Sequence, residues 1–181
     1  MSIKEYQKKR DFRTSPEPKG SKKKQDNNFV IQQHDATNLH YDFRLNIDGV
    51  LVSWAVPKGP STDPSVKRLA IRTEDHPLEY ADFEGVIPEG YGAGTVMIWD
   101  RGTYRNLKDK SMSACLDDGH LTVWLKGKKL QGGYALTHTD KDRWLLVKMD
   151  DDKADARRKP TSTQNKSVKT GRTMKQIEDD S

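Results

Sequence analysis

The chain has 181 residues, a third of them charged and a third apolar, with a formal net charge of +5 and a single cysteine. That length suits one domain with tails; no run approaches the ~18 apolar residues of a membrane span, and the N-terminal MSIKEYQKKRDFR lacks the apolar segment of a secretory signal. A lone Cys115 excludes an intrachain disulfide and a cysteine-rich zinc site, so the expectation is a cytoplasmic protein without membrane association.

Charge is unevenly placed along the chain. Residues 1–28 hold nine Lys/Arg against four Asp/Glu, residues 29–150 fifteen against seventeen, and residues 151–181 eight against six. Basic ends around a near-neutral centre suit a polyanionic partner, because Lys and Arg that neutralise phosphates release counterions. The competing reading is that Lys22–Lys24 and Arg157–Lys159 only keep the ends soluble. Residues 14–28 and 151–181 are too poor in apolar side chains to offset the entropy of ordering; the latter have five in 31. The expected organisation is an arm over 1–28, a packed domain over 29–150 and a disordered basic tail over 151–181.

Within the packed domain the periodicity is two. Phe29–Gln33 reads as the first strand. In Leu39–Ile47, Leu39, Tyr41, Phe43, Leu45 and Ile47 share one face, and His40, Asp42, Arg44 and Asn46 the other. Asp48-Gly49 signals a two-residue hairpin, with Val50–Val56 as the return strand ended by Pro57. Arg68–Thr73, Thr95–Asp100, Leu121–Lys126, Gly133–His138 and Arg143–Met149 follow as strands, with one short helix near Ser111–Leu116. Many short antiparallel strands predict a mainly β fold, a small barrel or closed sandwich that removes exposed edges.

His40 and Asp42 project from one strand face, and His34 ends the strand before it. Two imidazoles and a carboxylate suit a divalent ion such as Mn, Fe or Zn, with positions left for water or substrate; the alternative is a solvated strand face. Arg44 lies two positions beyond Asp42, and Lys58, Arg68, His76 and Tyr80 follow on later elements. An ion beside several cations suits phosphoryl chemistry, which needs charge neutralisation more than covalent help. Glu84–Gly94 carries four glycines but matches no phosphate-binding fingerprint; tight turns explain it, or a wall of the active cleft. His120 and His138 read as structural, and Cys115 has no linked histidine to make it a nucleophile.

The segments FVIQQHDATNLHYDFRLNIDGVLVSWAVPKGP, KRLAIRTEDHPLEYADFEGVIPEGYGAG and WDRGTY, preceded by YQKKRDFRTSPEP, resemble the 3′-phosphoesterase domain of bacterial ATP-dependent DNA ligase D. The resemblance implies a small β-barrel with an active-site groove and a manganese-dependent activity, other divalent metals being possible. It implies removal of a 3′-terminal ribonucleotide and then of the 3′-phosphate from the primer strand of a DNA or RNA–DNA primer–template. By motif, His34, His40 and Asp42 would hold the metal, and Arg44, His76 and Tyr80 would contact phosphate. Lys58 and Arg68 would assist, chiefly in the monoesterase step. Arg10, Asp11, Glu17, Gln32 and Glu74 would complete or brace the site, which expects the N-terminal arm to be partly ordered over it. The family's PEG-x-YGAG stretch is one residue shorter here, since Gly90 runs directly into Tyr91. The chain has no room for the fused ligase and polymerase, so it resembles a free-standing version working with such partners in trans. Two rival readings are a barrel that binds nucleic-acid ends without reacting, and an iron(II) oxygenase using His40, Asp42 and a distal His120 or His138.

Overall fold

The computed structural model describes residues 3–20 and 27–181. Lys22–Lys24 lie outside the described residues. After a short helix α1 (Ile3–Lys8) come β1 (Asn28–Asp35), β2 (Leu39–Ile47), β3 (Val50–Val56) and β4 (Arg68–Arg72), then a 3₁₀ turn over Leu78–Asp82. The chain continues through β5 (Gly85–Ile87), β6 (Gly94–Asn106), α2 (Met112–Asp118), β7 (His120–Gly127), β8 (Gln131–Asp140) and β9 (Arg143–Lys148), and ends in α3 (Pro160–Thr163) and α4 (Met174–Asp179). Among the described residues no helix is long and apolar enough to cross a membrane.

Eight strands close into an antiparallel barrel in the order β1-β2-β3-β4-β9-β8-β7-β6, with β6 pairing back onto β1. The β2–β3 hairpin turns at Asp48 and Gly49, whose φ values of 53° and 85° are both left-handed, the twist that a two-residue hairpin requires. A register shift opposite Ile31 and Gln32 leaves Trp99 as an extra residue that bends β6 against β1, as closing a barrel demands. The odd-numbered face of β2 fills the interior: Tyr41, Phe43, Leu45 and Ile47 pack with Trp54, Trp99, Tyr134 and Trp144.

Strand β6 is longer than the Thr95–Asp100 expected. Its second half pairs with β7, while its first half pairs with the short β5. Three residues carry too little periodicity to announce β5, yet β5 aims the glycine-rich segment 88–93 across the outer face of β1.

The even-numbered face of β2 is not solvated. Asp42, Arg44 and Asn46 are buried, and outside the barrel a second apolar cluster forms from Tyr6, Val30, Leu51, Tyr80 and Ile98. The N-terminal arm and the 3₁₀ turn therefore roof the polar face of β1, β2 and β3.

Residues 151–181 are not a disordered tail; they fold against the barrel. Trp99 Nε1 donates to Gln164 O at 2.6 Å, Val168 N donates to Ile98 O at 3.0 Å, and Thr62 Oγ1 donates to Asp155 O at 2.6 Å. Lys129 Nζ donates to the carbonyls of Gln164 and Lys166. Ile177 joins the main core at 1% exposure, on a helix started by a capping box between Thr173 and Gln176. The segment is anchored by hydrogen bonds, by the Arg172–Glu84 ion pair and by a few scattered apolar contacts, Val168, Met174 and Ile177, which form no periodic stripe.

Candidate active site

The buried polar face of the β1–β2–β3 sheet opens into a cavity of about 290 Å³. β1 supplies His34, β2 supplies His40, Asp42 and Arg44, and the arm supplies Arg10 and Glu17. His76 is held by a two-bond bridge to Leu51, its N–H donating to Leu51 O at 2.9 Å and Leu51 N–H donating back at 2.8 Å. Tyr80 comes from the 3₁₀ turn, and Tyr91 and Gly92 from the glycine-rich segment.

One nitrogen of each of two imidazoles is already committed. His34 Nε2 lies 2.7 Å from Gly92 O and His40 Nδ1 lies 3.0 Å from Asn38 O. A carbonyl only accepts, so each of these nitrogens carries the proton. The other nitrogens converge on Asp42, His34 Nδ1 at 3.6 Å and His40 Nε2 at 3.2 Å. These two nitrogens face a carboxylate, so each needs a positive charge between: either a proton, donated to Asp42 as a hydrogen bond, or a metal cation that takes both lone pairs and the carboxylate. One ligand atom from each of the three residues lies within 4.8 Å of the others. The backbone carbonyls orient the rings as outer partners of metal-binding histidines do. The donor set therefore fits a divalent ion.

Electrostatics agree. Burial pushes the Asp42 carboxyl up, but the charge of Arg44 and hydrogen bonds from His34 and His40 outweigh it and hold the group well below the usual carboxylate range. Burial lowers His40, and the hydrogen bond and charge of Asp42 reverse this to a net rise above its ordinary value. His76 is driven well below its ordinary value by burial and by the charges of Arg44 and Arg10. It is a neutral ring that donates from Nδ1 to Glu74 O at 2.9 Å, with Nε2 3.5 Å from Arg10.

Arg44 donates from Nε to Gln32 Oε1 at 2.7 Å and from Nη1 to Ser53 Oγ at 2.9 Å, with Nη2 3.4 Å from Asp42. Five N–H groups in a fixed fork leave it donors for an anion. Gln32 lies behind it, tied by Nε2 to Tyr80 O at 2.7 Å. Arg10 is clamped by Glu17 at 2.8 Å and Glu74 at 3.2 Å. Tyr80 donates its hydroxyl to Glu17 at 2.8 Å, and burial, then Glu17, raises that hydroxyl well above its usual value.

The cavity thus gathers His34, His40, Asp42, Arg44, His76, Tyr80, Arg10, Glu17 and Glu74, with Gln32 as a brace. It does not gather Asp11, Lys58 or Arg68. Asp11 is exposed and pairs with Arg13 at 3.0 Å. Lys58 is exposed two residues past β3. Arg68 opens β4 opposite Leu146, outside the cavity lining. His120 and His138 do not line it either, and His138 bonds the carbonyl of Lys141 instead. The histidine that stands with His40 and Asp42 is His34, not either of the two that the oxygenase reading assigned.

Sequence reasoning missed Tyr6, which lies at 0% exposure with its ring 4.9 Å from that of His76 and its hydroxyl donating to Pro18 O. It also missed Tyr91, Gly92 and Lys9. The available signal was an aromatic residue inside a glycine run. Tight turns and a cleft wall both hold for that run, since Gly90 and Gly92 take φ of 88° and 78° and the segment lines the cavity.

The structure is a closed β-barrel whose roofed outer face sets a candidate His–His–Asp metal site beside a buried arginine. The chain belongs to the DNA ligase D 3′-phosphoesterase domain family, whose model matches residues 32–138. It is 53% identical over 159 residues to the multifunctional non-homologous end joining protein LigD of Pseudomonas aeruginosa, a match covering 83% of this chain and 19% of that protein. To the LigD proteins of Mycobacterium tuberculosis and Mycolicibacterium smegmatis it is 51% and 47% identical over 155 and 156 residues, covering 82% of this chain and 20% of each relative. The chain spans about a fifth of the length of these relatives.

Proposed function

We propose that this protein is a divalent-metal-dependent 3′-end-healing phosphoesterase of DNA repair by end joining. It removes a 3′-terminal ribonucleoside from a primer strand by phosphodiester hydrolysis, then removes the remaining 3′-phosphate to leave a 3′-OH for ligation. The carrying observation is the convergence of two committed imidazoles on Asp42 beside Arg44.

Charge arithmetic favours this reading. At the cavity Lys9, Arg10 and Arg44 face Asp42, Glu17 and Glu74, a balance of zero that gives a phosphate no net attraction. A divalent ion on His34, His40 and Asp42, manganese being the ion the family resemblance implies, supplies positive charge to a phosphate oxygen and to the charge that develops in the transition state. Arg44 offers its remaining N–H groups to the same phosphate and is kept in place by Gln32 and Ser53. Arg10, spent on Glu17 and Glu74, positions the wall of the cavity. His76, kept neutral by burial and by Arg44 and Arg10, lines the cavity as an uncharged ring with Nε2 3.5 Å from Arg10 Nη2. Lys58 lies outside the cavity lining, so its role in meeting the extra charge of a monoester rests on the family resemblance alone.

The substrates are 3′ ends of DNA or RNA–DNA primer–templates, and a ligase or polymerase completes the repair. A labelled primer–template ending in a ribonucleotide or a 3′-phosphate tests this. Shortening and dephosphorylation are expected with Mn²⁺ and not with EDTA. Tight binding without turnover in any divalent metal would instead favour a non-catalytic end-binding barrel.

A further inference from the structure

We propose that Tyr91 is the stacking platform for the nucleobase of the 3′-terminal nucleotide, an inference that rests on the phosphoesterase reading above. Tyr91 is 50% exposed, more than any other large apolar side chain among the described residues, yet it lines the cavity that holds the His–His–Asp set. Its ring has cations beside it: Lys9 Nζ lies 4.6 Å and Arg10 Cζ 5.3 Å from its centroid. Both cations are themselves tethered, Lys9 to Glu74 at 3.3 Å and Arg10 to Glu17 at 2.8 Å. A ring steadied by two tethered cations keeps its orientation while half of its surface stays open.

The backbone ties this ring to the reaction centre. Gly92, the next residue, accepts His34 Nε2 at 2.7 Å, and the left-handed φ values of Gly90 and Gly92 set the turn that presents Tyr91 between them. A phosphodiester held at Asp42 and Arg44 therefore places the flanking nucleoside beside this turn. A cavity of about 290 Å³ is at the small end of ligand sites, a size that suits one nucleotide, and in a reaction at a 3′ end that nucleotide is the terminal one. Base–aromatic stacking tolerates every base because each has a π-face, which suits an enzyme that trims ends of any sequence.

The two proposed steps separate this role from a general one. Before ribonucleoside removal the terminal base occupies the subsite; before 3′-phosphate removal no terminal nucleoside is there. Tyr91→Ala is expected to lower kcat/KM for ribonucleotide removal roughly 10-fold, mainly through KM, as loss of one stacked base implies. Removal of a 3′-phosphate should fall by clearly less, and Tyr91→Phe should restore both. In parallel, a primer ending in 2-aminopurine riboside, with a methylenephosphonate replacing the scissile ester, is titrated with protein in Mn²⁺. The wild type and Tyr91→Phe should quench its fluorescence and Tyr91→Ala should not. Equal loss of the two steps, no quenching by the wild type, or undiminished quenching by Tyr91→Ala overturns the proposal. A wild type inactive on both substrates refutes the enzymatic reading alone, and the quenching arm then decides whether the platform exists.

Discussion

His34 is held from behind by Gly92, its Nε2 2.7 Å from the glycine carbonyl, so that its Nδ1 faces Asp42 at 3.6 Å. A metal-ligand candidate on β1 is thereby oriented by the glycine-rich segment that follows β5. The segment is one residue shorter than the family pattern and still reaches the imidazole.

The first prediction concerns the ion. His40→Ala removes one ligand from a half-buried position and should abolish both activities and Mn²⁺ binding, measured by calorimetry, with little loss of stability. Asp42→Ala differs, because Asp42 is 6% and Arg44 3% exposed and the change leaves a buried guanidinium without its counter-charge. Its cost should be about 3 kcal/mol, read as a lower denaturation midpoint. Near-normal turnover by His40→Ala would falsify the metal assignment.

Stability against pH offers a second test, through His76. Its folded pKa lies well below the ordinary value, so the unfolded chain takes a proton near pH ~6.5 that the folded one refuses. Stability from this group is therefore full above about pH 6.5 and is lost as pH falls below it. His40, raised in the fold, acts in the opposite sense: its contribution is present below its unfolded pKa and lost as pH rises through the folded one. The difference between proteins isolates His76. Between about pH 7 and 5 the Tm of metal-free wild type should fall more than that of His76→Phe, which keeps the packing against Tyr6 and Tyr80. Parallel falls in the two proteins would refute the neutral imidazole.

How much of this was legible beforehand varies with the physics involved. Alternation in β2 and the Asp48-Gly49 turn were plain, because a strand face and a positive-φ pair leave local marks. The His34–His40–Asp42 set was visible for the same reason, being the outer face of one hairpin. Burial of that face was not, since Tyr6 and Arg10 reach it across more than thirty positions of sequence. Nor was the order of residues 151–181, where single contacts such as Ile177 and the Trp99–Gln164 bond replace a periodic stripe.

The third prediction separates the two steps by charge. A phosphomonoester carries about one more negative charge than a diester near neutral pH, its second pKa being about 6. Lys58 is exposed and outside the cavity lining, so its removal should not disturb the fold. Lys58→Ala should slow 3′-phosphate removal more than ribonucleoside removal, and a 3′-phosphate intermediate should accumulate on sequencing gels. Equal slowing of both steps would show that Lys58 positions the strand instead.

The last prediction contrasts the two ends of the chain. The N-terminal arm brings Arg10 and Glu17 to the cavity and Tyr6 to the cluster behind His76. Deleting residues 1–18 leaves Tyr80 and His76 without these partners, so kcat should fall at every salt concentration. The C-terminal segment contributes no cavity residue, but it caps the barrel through Ile177 and the carbonyls that receive Trp99 and Lys129. Ile177→Ala should therefore cost roughly 3 kcal/mol and leave kcat near normal below its Tm. Its basic residues are tested without truncation: Arg157 and Lys175 are exposed, and replacing both by Gln removes charge while leaving the core packing intact. If they meet duplex phosphates, the log–log slope of affinity against salt should flatten by about 0.9 for each phosphate no longer neutralised. An unchanged slope would leave substrate binding to the cavity and its rim. A loss of stability on deleting the arm that matched the loss from Ile177→Ala, with kcat intact, would make both ends structural and remove Arg10 from the chemistry.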